Sequence, residues 1–201
     1  MGAKTKGGGV LSLVLAVVAV AVMGGVGPAV DKVTDFLSGL APELITAPDV
    51  QERLDLCRPG EPVSDEECNG LRFVVLDAEK MPFIATNIAT AWDEGKPGLL
   101  TRGGNEVIGA NRQAACGAFT PAYPAGSCDE YPFASSVEGG PGARLAEVPK
   151  RENSCQGGTL GGQYRSKGIK IGDQYGVILR NPGSRATVAY TGTDIAKEVA
   201  C

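Results

Sequence analysis

Cys128-Asp129-Glu130-Tyr131-Pro132-Phe133-Ala134-Ser135-Ser136, followed by Glu138-Gly139-Gly140, is the stretch on which the reading of this 201-residue chain turns. Successive side chains of a strand point to opposite faces, so Asp129 and Glu130 cannot both face a core. One of them must be solvated, paired or metal-bound, because a buried carboxylate without a partner is too costly. Downstream lie the amides Asn153, Gln156 and Gln163, set around the glycine-dense run Gly157-Gly158-Thr159-Leu160-Gly161-Gly162. Carboxylate and amide oxygens are hard donors, suited to Mg²⁺ or Mn²⁺ rather than to soft metals. The bland alternative is an acidic turn beside a flexible glycine loop. That loop is not a phosphate-binding P-loop, since no Gly-Lys-Ser/Thr follows it.

Outward from this stretch the chain reads as an α+β body, a small mixed sheet with packed helices. Arg72 to Leu76 is strand-like, and Ile84, Ile88 and Trp92 recur at helical spacing before a stop at Gly95-Lys96-Pro97-Gly98. A second helix is predicted from Glu106 to Ala115, with Val107 and Ala114 inward. Strands are predicted at Arg144 to Val148, at Gln174 to Leu179 and near Ala186 to Thr191, the last followed by a short helical end. Residues 31–69 read as an acidic connector in which Pro42 and Pro48 stop any long helix. The body then spans residues 70–182, with a C-terminal extension over 183–201.

Composition narrows the chemistry. The chain has no histidine, which excludes His-dependent triads and His-ligated zinc, so any catalysis runs on carboxylates, amides, hydroxyls or cysteines. Its net charge is −4, yet residues 141–185 hold eight basic against three acidic side chains, a basic face suited to a polyanion. Among these, Arg144, Arg165 and Lys167 are candidates for phosphate contacts. Lys4 and Lys6 precede an uncharged stretch, residues 7–30, that would rise about 36 Å as a helix. It suits a secretion signal and a retained membrane anchor equally. All six cysteines follow it, and their even number without a CxxC pair favours three disulfides over a metal site. Short separations favour Cys57 with Cys68 and Cys116 with Cys128, leaving Cys155 with Cys201.

The Asp-Glu-aromatic-Pro run at Asp129 to Pro132, the Glu138-Gly139-Gly140 behind it, and Asn153 and Gln163 at their offsets resemble the NucA/NucB family of exported bacterial deoxyribonucleases. The likeness covers roughly residues 70–181. It implies a ββα-metal-like nuclease core and a metal-dependent, largely sequence-nonspecific endonuclease with an acidic residue as base. Carried over by position, Asp129 and Glu130 match the catalytic acidic pair, with Asp129 ranked first. Asn153 matches a metal-side amide, a role Asp129 can share, and Glu138 and Gln163 match supporting active-site positions. Many members have Asp-Arg just before the motif where this chain has Ser127-Cys128, and a family tryptophan falls near Thr159.

The expected protein is therefore an exported or membrane-tethered DNase using Mg²⁺ or Mn²⁺. Its expected partner is DNA, without a nucleotide cofactor, and it is expected to act as a monomer. The competing expectation is a disulfide-stapled extracellular binding module that keeps the fold without turnover.

Overall fold

The computed structural model describes residues 43–56, 67–68 and 70–201. The hydrophobic segment at residues 7–30, the helical spacing at Val33 to Leu40 and the Cys57–Cys68 pairing lie outside the described residues. In chain order the elements are β1 (Leu44–Thr46), α1 (Pro48–Asp55), β2 (Glu67–Cys68), β3 (Leu71–Asp77), α2 (Pro82–Asp93), β4 (Leu99–Thr101), α3 (Asn105–Cys116), β5 (Gly126–Tyr131), β6 (Arg144–Pro149), α4 (Lys150–Ser166) and β7 (Gln174–Arg180). Among the described helices none is long and apolar enough to cross a membrane.

Two apolar strands, β3 and β7, run parallel at the centre of a five-stranded sheet, with Val74 opposite Val177 and Leu76 opposite Leu179. Strands covered on both faces read as continuous hydrophobic runs, which is why Phe73 to Leu76 and Val177 to Leu179 lack alternation. Val74, Leu76, Val177 and Leu179 face the main core with α2 and α4, while Phe73 and Ile178 pack with Val50 of α1 on the other side. The outer edge of β7 is shared, β1 pairing at Ile178 to Arg180 and β4 at Gln174 to Gly176. Residues 44–55, read from sequence as connector, thus supply an edge strand and a helix of this unit. Pro48, read as a helix stop, stands at the start of α1, where its missing N–H costs nothing.

β5 and β6 pair antiparallel, and α4 follows β6 without a break, which gives a ββα unit. Here the structure corrects the glycine-loop reading, because Gly157, Gly158, Gly161 and Gly162 all lie inside the 17-residue α4. Four glycines in place of alanines cost a helix about 4 kcal/mol. Burial of Leu160 and Tyr164 offsets that at roughly 1.5 to 3 kcal/mol each, and Glu152, Cys155 and Gln156 extend the same stripe. A periodic buried face thus overrides a poor helical propensity. α3 forms as predicted, but Ala114 is exposed and the buried residue is Asn111, whose Nδ2 donates to the carbonyls of Ala134 and Ser136. The predicted strand near Ala186 to Thr191 and the helical end do not form. That tail instead runs irregularly over the core, buried at Ala186, Tyr190 and Ala196. It is tied down by the Cys155–Cys201 disulfide and by Arg151, which grips Asp194 through two nitrogens.

Candidate active site

A cavity of about 620 Å³ opens between α3 and α4, lined at β5 by Ser127, Cys128 and Glu130. Strand alternation divides the acidic pair. Asp129 is 1% exposed and points to the α2 side, where its Oδ2 accepts from Asn87 Nδ2 at 2.8 Å. Its Oδ1 is buried without a hydrogen-bond partner among the described residues, as is the nearby Nε2 of Gln156. Burial pushes the Asp129 carboxyl up to about 7, against the opposing pull of the Asn87 amide. Glu130, on the other face, lines the cavity, and burial raises its carboxyl too, with the Arg112 guanidinium pulling the other way.

Asn153 reaches the cavity from the first turn of α4. Its Nδ2 donates to Ser127 Oγ at 2.8 Å and to the Cys128 carbonyl at 2.7 Å. That pair of bonds fixes the amide orientation, and Oδ1, which has no side-chain hydrogen-bond partner among the described residues, is left as a ligand atom. A neutral hard oxygen that shares a polar cavity with a carboxylate suits an ion such as Mg²⁺, which keeps waters and takes phosphate oxygens as further ligands. The ligand atoms of Cys116, Cys128 and Glu130 also lie within 4.8 Å of one another. Because Cys116 and Cys128 are bonded as a disulfide, their sulfurs are not thiolate ligands in this state.

Other residues singled out from the sequence lie elsewhere. Glu138 accepts from the Thr101 N–H with both oxygens, holding the 133–140 loop against β4. The glycines behind it allow that loop to close, since a Cβ on Gly139 would sit 2.3 Å from the Phe133 carbonyl oxygen. Gln163 bonds both backbone groups of Val75, donating from Nε2 at 2.6 Å and accepting at Oε1 at 2.9 Å. One turn on, Lys167 Nζ donates to the Phe73 carbonyl at 2.8 Å. Beyond the short β2 pairing, these two side chains stand in for a neighbouring strand along β3. Arg144 pairs with Glu94 at 3.1 Å and donates to Asn87 Oδ1, so it braces the partner of Asp129. Arg165 is exposed and does not line the cavity.

The basic residues that do line it are Arg102, Arg112 and Lys150, none of them among the sequence candidates. Arg102 is held rigidly, its guanidinium 4.8 Å from the Tyr164 ring centroid and its Nη1 donating to the Ile169 carbonyl. The sequence signal for it was slight: an arginine followed by Gly103-Gly104 at the start of a predicted helix. Opposite, Gly157 and Gly161 present bare backbone on the α4 wall.

The cavity therefore joins one accessible carboxylate, one oriented amide oxygen and three cations on a ββα frame. No curated protein matches the chain. Trp92 to Ile178, a span that includes every residue lining the cavity, matches a family model, and residues 92–178 are accordingly a domain of the deoxyribonuclease NucA/NucB family.

Proposed function

We infer that this domain hydrolyses DNA phosphodiester bonds in the cavity between α3 and α4, with Glu130 as general base and a divalent ion, Mg²⁺ or Mn²⁺, held at Asn153. The observation that carries this reading is that Glu130 and Asn153 share one cavity with Arg102, Arg112 and Lys150. When bound, the ion supplies charge stabilisation for the phosphoryl oxygens. Glu130 takes the proton of the attacking water on its carboxylate. Its partial burial suits that task, because a carboxyl raised from its ordinary range is a stronger base. Arg102, Arg112 and Lys150 hold backbone phosphates on either side of the reacting one. Phosphate contacts carry no base information, so this set supports cleavage largely without sequence preference.

Asp129 takes a positioning role in this scheme rather than that of base or metal ligand. Anchored to Asn87, it fixes the strand that presents Glu130. The two described disulfides suit an exported chain, with residues 7–30 as its signal or anchor.

The test is plasmid cleavage by the disulfide-intact full chain with Mg²⁺ or Mn²⁺, with EDTA, and with Glu130→Gln. The variant is expected to lose about 10²- to 10⁴-fold in kcat while its unfolding is unchanged. Full activity in Glu130→Gln would place the base elsewhere, and cleavage in EDTA would remove the ion from the reaction.

A further inference from the structure

We propose that Cys116, Cys128 and Glu130 form a Zn²⁺ site when the Cys116–Cys128 disulfide is reduced, and that zinc bound there occupies the carboxylate of the active site. The site nests on the reading of Glu130 as general base only for its consequence; the binding itself stands on geometry. Cys116 ends α3, and Cys128 lies in β5 on the same strand face as Glu130, two residues away. Their Cα atoms are 6.0 Å apart, and the Cys116 sulfur sits 3.3 Å from Glu130 Oε2. All three side chains are half-buried and line the same cavity, so an ion can reach them from solvent.

Reduction frees the two sulfurs to swing apart about their Cα–Cβ bonds, as two thiolates on one tetrahedral ion must, and a Cα separation of 6.0 Å is compatible with that. A phosphine or thiol reductant supplies two electrons, the S–S bond breaks, and two protons are taken up to give two thiols while the reductant is oxidised. Zn²⁺ then displaces the thiol protons to solvent and binds two thiolates and one carboxylate oxygen. Two sulfurs at about 2.3 Å and an oxygen at about 2.0 to 2.2 Å leave a fourth tetrahedral position for water. Thiolates select zinc over Mg²⁺, so the reduced site does not imitate the hard donor at Asn153. Arg112, which already acts on Glu130 electrostatically, balances the negative charge of the ligand set. A chain still reduced before export would thus have its base bound to zinc, and forming the disulfide would free it.

Full-length protein is reduced with a phosphine, desalted anaerobically and titrated with Co²⁺ and then Zn²⁺. Thiolate-to-cobalt charge-transfer absorption and competition against a chromophoric zinc chelator are read, in parallel with DNA cleavage. The reduced chain is expected to bind at least one zinc equivalent more than the oxidised chain. Cys116→Ser with Cys128→Ser should remove one equivalent and its charge-transfer band. Glu130→Gln should keep the band but weaken zinc at least tenfold. Equal stoichiometry in the reduced wild type and the double serine variant would overturn the site, and unchanged affinity in Glu130→Gln would remove the carboxylate from it. Inactive oxidised protein would refute the nuclease reading while leaving the cobalt spectra to decide the zinc site.

Discussion

Replacing Asp129 by Asn should make the domain more stable at pH 8 and leave it unchanged near pH 4. In the folded chain this carboxyl is held at about 7, against 3.8 for an ordinary aspartate. Because the folded value is the higher one, the native state binds the proton more tightly than the unfolded chain does. The resulting stability is complete below about pH 4 and is lost as pH rises through 7, the reverse of a salt-bridged aspartate. A shift of roughly three units at 1.36 kcal/mol each amounts to about 4 kcal/mol across that window. Asn imitates the protonated carboxyl. Its oxygen can accept from Asn87, and its new N–H₂ faces Gln156, whose amide can turn to present its oxygen. Urea unfolding in EDTA with disulfides intact, from pH 4.5 to 8, gives the difference between variant and wild type. Glu152 is also raised, to about 8, but is common to both proteins and cancels. The difference should grow by up to about 1.4 kcal/mol per pH unit and level off above pH 7. A difference that stays flat, or a variant less stable than wild type at pH 8, would refute the reasoning.

Gln163→Leu should lower stability by about 2 to 4 kcal/mol, since the Val75 N–H and C=O both lose their partner at a covered strand edge. Chemical unfolding measures it, and a loss of activity without a loss of stability would return Gln163 to the active site. Arg102→Ala and Arg112→Ala should each weaken DNA binding and reduce the slope of log affinity against log salt by about one. Fluorescence anisotropy in Ca²⁺ over a salt series reads that slope, and an unchanged slope would take the residue off the DNA path.

The features that were legible in the sequence are those set by local pattern. β3, β7 and α2 follow from apolar runs and helical spacing, and the opposed faces of Asp129 and Glu130 follow from strand geometry alone. Which of the two faces a cavity was not legible, because it depends on α2 lying under β5 and carrying Asn87 to meet Asp129. The same holds for Glu138 and Gln163. Their spacing from the motif was visible, but their partners, Thr101 and Val75, lie 37 and 88 residues away in the chain. The charge count pointed to a basic face in residues 141–185, yet Arg144, Arg151 and Arg180 there are paired with acids. Of that segment's basic residues Lys150 lines the cavity, joined there by Arg102 and Arg112 from outside it. A count cannot tell a neutralised arginine from one aimed into a groove.

In the proposed mechanism, the absence of histidine gives the two acidic neighbours complementary duties. A nuclease without imidazole needs a carboxylate that still accepts a proton near neutral pH, and partial burial is the available means of raising one. A carboxylate on a mobile, solvated loop would keep an ordinary acidity and be the weaker base. Burying the preceding residue on the opposite strand face is a structural way to hold Glu130 in its half-buried position. Asp129 does this through Asn87, which is itself braced by Arg144. The cost is a carboxyl with one orphaned oxygen, and the stability it forfeits above pH 4 is the quantity that Asp129→Asn would recover. Because Asn at 129 can still accept from Asn87, the substitution should recover that stability without loosening Glu130, and a fall in kcat at pH 8 would show that the charge of Asp129 itself takes part in the reaction.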